Sequence, residues 1–527
     1  MDPILLEIFK HRFSAVAEEM GVTLRRTAYS PNIKERRDFS CAIFDADRKM
    51  VAQAAHIPVH LGSMPLSVES AARNIEMEDG DMVMINDPFS GGSHLPDITL
   101  VAPVFAGENR PVFFVANRAH HADIGGISPG SMPTSTTIFA EGLIIPPLKI
   151  VKQGKVDESV MRLIPANVRT PDERKGDFSA QIMANLTGIR RITELIETSG
   201  LEPVQRFASH LIDYSETLTR KEISKIPDGI YSFSDTMEDD GHNSHDIPIR
   251  VSISIEKDSA LVDFSETGPQ VCGCINATYA VTLSCVLYVF RSLVSEDIPA
   301  NAGCLRPITV RTRPGTIVDA RFPAAVAAGN VETSQRIVDV LLGALAKAIS
   351  DRIPAASQGT MNNLTIGGFD HGTGRAFTYY ETMGGGMGAG PGQDGESAVH
   401  SHMTNTLNTP VEAIEFAFPM RVTRYGIRTG SGGKGRFVGG DGIIREITLL
   451  SDAEVTILSE RRKRGPYGLA GGNPGACGKN SIITNGRILK RPGKFSERLQ
   501  AGDVIRIETP GGGGYGPAEK REARKKD

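Results

Sequence analysis

The sequence predicts a mixed α/β (α+β) protein of several subdomains, with a glycine-rich, β-rich C-terminal part. Three observations predict it. Apolar residues recur at helical spacing in some blocks and alternate in others. Glycine is abundant and clustered, 56 of 527 residues, which calls for many tight turns and close backbone approaches. The chain is also far longer than one hydrophobic core usually serves.

The elements follow in order. Ile4, Leu5, Ile8, Phe9, Phe13, Val16 and Met20 recur every three or four residues and predict a helix over 3–29. A Pro/Asn turn leads to a strand at 39–45, a hairpin turn at 45–49 and a return strand at 50–54. Short apolar runs at 81–86 and 112–117 read as buried strands. Residues 155–225 are mostly helical by periodicity, with Ile182, Met183, Leu186, Ile189 and Ile192 on one stripe. From about 227 the pattern alternates, as in Val251, Ile253 and Ile255. Residues 276–295 and 333–352 read as long, mostly buried helices. Residues 360–450 return to strands broken by glycine, and 450–516 is strand and turn throughout. The expected organisation is a metal-site subdomain at 1–150, a helical segment at 151–226, a mixed α/β core at 227–450, a β-rich subdomain at 451–516 and a frayed charged tail at 517–527. No internal repeat is present.

Composition narrows the function. Hydrophobic content of 40% and charged content of 23% are those of a soluble globular protein. A net charge of -4 argues against a nucleic-acid or anionic-membrane partner, which needs a basic face. The longest apolar run, around 277–290, is too short to span a bilayer. The start lacks a basic signal region, so a cytoplasmic protein is expected. Six scattered cysteines, Cys41, Cys272, Cys274, Cys285, Cys304 and Cys477, read as thiols in a reducing compartment. Cys272 and Cys274 lack the second pair that a zinc cage needs.

Chemistry concentrates in two stretches, Asn86-Asp87-Pro88-Phe89-Ser90-Gly91-Gly92-Ser93-His94-Leu95-Pro96-Asp97 and His120-His121-Ala122-Asp123-Ile124-Gly125-Gly126. Imidazole nitrogen and carboxylate oxygen at short spacing suit Mn, Zn, Fe or Ni. Both motifs are expected in loops just after predicted strands, where rigid sheets present functional side chains. His120 and His121 point apart as neighbours, so only one ligates a given ion and the other serves substrate or an outer shell. Asp38 is a possible third carboxylate, with a salt-bridged turn residue as the ordinary alternative. Asp87 before Pro88 reads as a turn former. His56 and His60 read as ordinary hydrogen-bonded histidines, and the His242–His245 loop after Glu238-Asp239-Asp240 as solvated. His400-Ser401-His402 and Asn405-Thr406-Leu407-Asn408 are suited to gripping a polar ligand, although buried amides also serve only the backbone.

The glycine runs do not read as nucleotide sites. Gly430-Ser431-Gly432-Gly433-Lys434-Gly435 fits the dinucleotide pattern literally but is not followed by a helix. Gly472 to Lys479 misses the phosphate-loop spacing. The runs at 384–390 and 511–516 are expected to be tight backbone junctions. No serine-nucleophile elbow is present.

With these motifs in order, the chain resembles the hydantoinase B/5-oxoprolinase family nearly end to end. The resemblance rests on the opening helix, Glu35-Arg36-Arg37-Asp38-Phe39-Ser40, the two His/Asp motifs and Asn330-Val331-Glu332-Thr333-Ser334-Gln335-Arg336. It continues through Arg424-Tyr425, Ser431-Gly432-Gly433, Ser459-Glu460-Arg461, Gly465-Pro466-Tyr467-Gly468 and Thr509 to Gly516. It implies a two-component enzyme. A hydantoinase A-type partner binds ATP-Mg and phosphorylates a small lactam or imide, and the B-type chain brings the activated intermediate to a divalent metal in a hetero-oligomer. It further implies Asp38, His94, Asp97 and His120 as ligands, with His121 or Asp123 as general base. Two alternatives remain: a subunit of an acetone- or acetophenone-type carboxylase, and a non-catalytic scaffold for the A-type partner.

Overall fold

The computed structural model describes residues 2–54, 57–294 and 297–518. His56 and most of the tail expected to fray, 519–527, lie outside the described residues. Helix α1 (Pro3–Thr27) starts where Asp2 accepts from the Ile4 and Leu5 amides, with Pro3 at the first helical position. Its Leu6, Phe9, Phe13, Val16, Met20 and Leu24 are buried, and Phe9 stacks on Phe207 at 4.5 Å. A short turn of helix, α2 (Pro31–Lys34), follows.

The first sheet contains β1 (Phe39–Asp45), β2 (Met50–Gln53), β3 (Met82–Ile85), β4 (Asp97–Val104), β5 (Phe113–His120), β6 (Leu148–Lys152) and β7 (Lys155–Val156). Their order is β2-β1-β5-β4-β3-β6-β7, and every pair is antiparallel. Strand alternation divides it into two faces. Cys41, Ile43, Leu100, Ala102, Val115 and Ala119 join the core under α1 and two long helices. Ala42, Phe44, Val83, Val101, Phe114 and Ala116 pack instead with Met64, Val68 and Ala71 of α3 (Ser63–Asn74). After the short α4 (Glu158–Leu163), helices α5 (Pro171–Ser199) and α6 (Leu201–Ile223) contribute Phe178, Ile192, Phe207 and Leu211 to the α1 core. A boundary at 150 would therefore cut β6, and the helical segment shares the core of the first sheet.

The second sheet contains β8 (Gly229–Asp239), β9 (His245–Glu256), β10 (Ser259–Asp263) and β11 (Ile308–Arg311). It packs with α7 (Tyr279–Leu293) and α8 (Ser334–Leu345). The helix expected over 333–352 is shorter, and a π-helical turn at Gly329–Thr333 precedes it. The C-terminal strands are β12 (Asn363–Asp370), β13 (Arg375–Glu381), β14 (Met420–Arg428), β15 (Gly442–Leu449), β16 (Ala453–Leu458), β17 (Lys479–Thr484), β18 (Arg487–Arg491), β19 (Lys494–Leu499) and β20 (Val504–Glu508). They form two sheets, β13-β12-β16-β19 and β14-β15-β20-β17-β18, around a shared apolar core.

The glycine runs stitch this C-terminal part together, as backbone junctions. Gly433 donates to Gly512 O at 2.8 Å, Gly512 to Gly440 O at 2.9 Å and Gly440 to Met387 O at 2.8 Å. A Cβ on Gly512 would lie 2.0 Å from Met387 O, so no other residue fits. No cysteine takes part in a disulfide. No helix among the described residues is long and apolar enough to cross a membrane.

A buried ionic network joins the second sheet, α8 and the C-terminal sheets. Glu460 takes Lys494 Nζ at 2.5 Å, Arg336 Nη2 at 3.2 Å and the Glu238 amide at 3.1 Å. Glu238 accepts from the amides of Arg462, Lys463 and Arg464. The His242–His245 loop is exposed at its tip, but Glu238, Asp239 and Asp240 beside it are buried.

Two predictions follow from these buried charges. Glu460→Ala strands Arg336 and Lys494, and chemical denaturation should show a loss of about 3–5 kcal/mol. Glu332 is pushed up from 4.5 to about 8 by burial and by Glu460 nearby. Its folded state holds the proton more tightly than the unfolded state, so stability falls as pH rises from about 5 through 8. The decline should be smaller by about 1–3 kcal/mol in Glu332→Gln, measured by denaturation across that range.

Candidate metal centre

Three adjacent strands set the site. β1 pairs with β5 so that Phe39 faces Ala119, and β5 pairs with β4 so that His120 faces Asp97. Asp38, His120 and Asp97 thus stand in one row at the ends of β1, β5 and β4. By strand alternation they share the face of Ser40, Ala42, Ala116 and Val101, which is the α3 face. His94 comes from the loop before β4. The motifs are therefore not wholly in loops: Asp97 is the first residue of β4 and His120 the last of β5.

His94, Asp97 and His120 each offer a ligand atom within 4.8 Å of the others. They are 0%, 1% and 2% exposed. His94 Nε2, Asp97 Oδ1 and His120 Nε2 have no hydrogen-bond partner. Buried polar atoms without partners are costly, and although His94 Nε2 lies 3.5 Å from Asp97 Oδ2, Asp97 Oδ1 and His120 Nε2 are left open to an occupant. Imidazole and carboxylate donors fit a divalent Mn, Zn or Fe ion. Asp38 lines the same cavity but falls outside the three-residue group.

Outer contacts hold the ligands. His94 Nδ1 donates to Ala327 O at 3.1 Å, leaving Nε2 to face inward. Ala327 is fixed in turn because Glu141 Oε1 accepts from its amide at 3.0 Å. Asn32 Nδ2 lies 2.9 Å from His120 Nδ1 and donates to His120 O at 2.8 Å. The His120 ring stacks on Tyr380, 4.4 Å between centroids. His60 Nε2 donates towards Asp97 Oδ2 at 3.3 Å, and Ser40 Oγ donates to His60 Nδ1 at 2.9 Å. The Asn330 side chain, from the π-helical turn, reaches Asp97 Oδ2 at 3.5 Å and keeps Oδ1 without a partner.

The electrostatics are those of a desolvated site. Burial pushes the Asp38 carboxyl up to about 7 against the pull of Arg36. Burial also opposes ionisation of Asp97, but His94 and His60 hold it well below the usual carboxylate range. His120 is held well below the usual imidazole range, by burial and then by His94. His94 is raised instead, since Asp97 beside it outweighs burial, so a cation binding here would displace a proton from it.

The structure does not bring His121 and Asp123 to this group. His121 lies on the opposite parity to His120, with Asn117 and Ala119, and faces α5. Its Nε2 meets Gln181 Oε1 at 3.0 Å and its ring packs on Phe178 at 4.8 Å. Burial and then Arg174 push its pKa down to about 4. Asp123 is committed to Arg169 Nη1 at 2.9 Å and to the amides of Arg169, Gly125 and Gly130. Sheet parity for His121 and the bonds to Arg169 for Asp123 direct both side chains away from the three-residue group. Asp87 caps a turn, accepting from the Phe89 amide at 2.9 Å.

His60 and Asn330 were not expected here. Nothing in the local spacing marks them, although Asn330 opens a motif that carries the resemblance. Thr404 and Thr406, from the stretch suited to a polar ligand, do line the cavity. His400 and His402, half-buried, lie outside its lining, with Nε2 atoms that have no hydrogen-bond partner.

The chain matches the hydantoinase B/oxoprolinase family over residues 2–518. It is 44% identical to a 5-oxoprolinase of Dictyostelium discoideum over 98% of its own length, and spans only 40% of that longer protein. Its fold matches the ATP-dependent caprolactamase of Pseudomonas jessenii with a TM-score of 0.92 and 29% identity, covering 99% of this chain and 92% of that one. It matches an acetone carboxylase with a TM-score of 0.91 and 19% identity, over 99% of this chain and 76% of that one, a likeness of fold alone.

Elemental analysis should find about one transition metal per chain. The His94→Ala/Asp97→Ala double variant should lose it, and His121→Ala, altered on the opposite face, should retain it.

Proposed function

The chain belongs to the hydantoinase B/oxoprolinase family, and on that premise we propose that it is the B-type subunit of an ATP-dependent cyclic amidase. It hydrolyses a phosphoryl-activated lactam or imide beside a divalent metal. The observation that carries this reading is the convergence of three buried residues with ligand atoms, His94, Asp97 and His120, each of which also has a side-chain atom without a hydrogen bond. Similarity to a 5-oxoprolinase and to an ATP-dependent caprolactamase supports the amidase chemistry.

ATP-Mg is assigned to a separate A-type partner in a hetero-oligomer. The glycine runs are filled by neighbouring backbone and leave no phosphate cradle. The extra length of the 5-oxoprolinase supports the need for a second component.

An amide resists water because its nitrogen lone pair is shared with the carbonyl. Phosphorylation of the oxygen leaves an electrophilic carbon and a good leaving group. A divalent cation held by His94, Asp97 and His120, with Asp38 as a fourth ligand, would supply Lewis-acid chemistry at the reacting group. The chain's own residues do the rest. His60 and Ser93 hold Asp97 Oδ2, so that Oδ1 faces the cavity. Asn330 Oδ1 accepts a hydrogen bond from the attacking water and aims it. The Tyr380 ring fixes His120 and closes one wall against solvent.

The fold likeness to acetone carboxylase supports a second reading, in which an activated ketone attacks carbon dioxide. Turnover of the chain with its A-type partner, ATP and a lactam panel separates the readings. His94→Ala should assemble normally yet lower kcat at least about a thousandfold, some 4 kcal/mol of barrier. Undiminished turnover in that variant would leave only a scaffold role, and a strict requirement for bicarbonate would favour the carboxylase.

A further inference from the structure

The cavity beside the metal ligands has a second polar wall that ligation does not use. Thr382, Thr404 and Thr406 line it, and their hydroxyls are chained. Thr382 Oγ1 lies 2.9 Å from Thr406 Oγ1, which lies 3.3 Å from Thr404 Oγ1. Behind them stands Arg36, 0% exposed. Its Nη2 donates to Thr382 Oγ1 at 2.7 Å and to Thr406 Oγ1 at 3.4 Å. Its Nη1 donates to Asn32 Oδ1 and to Tyr380 O, and its Nε has no partner. The guanidinium carbon sits 4.9 Å from the centroid of the Tyr380 ring.

Charge is the decisive feature. The nearest carboxylate to Arg36 is Asp38 at 3.8 Å, beyond hydrogen-bond reach. A second guanidinium, Arg118, is equally buried in the row below and donates to the hydroxyls of Thr99, Ser63 and Ser67. Arg36 thus has hydroxyl and carbonyl oxygens as partners in place of a carboxylate, and an anion entering with the substrate would supply the counter-charge it lacks. The threonine hydroxyls can turn as donors towards an incoming oxyanion, with the arginine charge behind them.

We propose that Arg36, Thr382, Thr404 and Thr406 form the seat of an oxyanion carried by the substrate, opening on the same cavity as the metal ligands. This deepens the amidase reading and rests on it. Two groups share the required chemistry: the phosphoryl group placed on the amide oxygen during activation, and a ring carboxylate such as that of 5-oxoproline. Ile57, Val59, Met361 and Met403 form an apolar side of the cavity, whose volume of about 20 Å³ admits a ring only when these side chains move apart. The two methionines can repack to admit it.

The test is calorimetric titration of the full chain, metal-loaded and metal-free, with inorganic phosphate, 5-oxoproline and uncharged 2-pyrrolidinone. Wild type is compared with Thr382→Val, Thr406→Val and the hydroxyl-retaining Thr382→Ser, each checked for metal content and thermal stability. At least one anion should bind wild type, bind each valine variant about tenfold more weakly, and regain affinity in Thr382→Ser, while 2-pyrrolidinone is unaffected. Weakening of phosphate identifies a phosphoryl seat. Loss of the advantage of 5-oxoproline over 2-pyrrolidinone, with phosphate unchanged, identifies a carboxylate seat. Folded, metal-retaining valine variants that bind both anions as wild type does would overturn the proposal, as would a wild type that binds neither. Failure of wild type to take up metal would count against the amidase reading alone, because the valine effect is also read on the metal-free chain.

Discussion

Everything in the candidate centre depends on keeping Asp97 ionised where water is excluded. A lone carboxylate at 1% exposure would take up a proton. His60, His94, Ser93 and Asn330 instead surround Oδ2. These four residues come from three parts of the chain: His60, the Ser93-His94 loop and Asn330. Ser40 fixes His60 from β1, and Ala327 fixes His94 from the segment before α8. Asn330 enters on the π-helical turn, an irregularity that often marks functional positions. The first sheet supplies the row of ligands, and the central and C-terminal units supply the walls.

That division explains why so much polarity is buried far from the site. The first sheet and the C-terminal sheets meet through Arg36, which reaches the Tyr380 carbonyl and Thr382. The second sheet and the C-terminal sheets meet through Glu460, Arg336 and Lys494. Ionic contacts of this kind add little net stability compared with apolar packing of the same volume, but they fix orientation. The glycine junctions act in the same direction. Where backbone lies against backbone, as Gly439 does against Gly512, no side chain remains to slide or repack. The cavity walls are thereby held relative to the ligand row, which is what a site with little room requires.

Much of this was legible in the sequence. Periodicity located α1, β1, the β1–β2 turn and the long helices, because those elements bury one stripe or one face and the pattern shows it. The pairing of an HxxD segment with a double-histidine segment located the centre, because few other arrangements put that many ligating atoms in so little chain. It also showed that His120 and His121 must diverge. Local pattern failed for His60 and Asn330, which are ordinary residues until distant segments bring them to Asp97. It was silent on Glu238, Asp239 and Asp240 as well, since nothing local identifies the cationic partners of an acidic run. Those partners, Arg462, Lys463 and Lys494, lie more than two hundred residues away.

The sequence by itself determined most element types, the glycine-dependent backbone contacts, the two His/Asp segments that meet at the candidate centre and the family. Each of these is written in residues close together in the chain or in motifs that recur in order. Only the tertiary structure decided which face each residue of the double-histidine motif takes. The parity of β5 is set by its pairing with β1 and β4 and by the burial of the helices on either side. Only the tertiary structure, too, put Asp123 in the grip of Arg169, and Arg36 behind three threonines from the far end of the chain. Charge compensation in a buried site is a property of what surrounds it, and no local spacing encodes that.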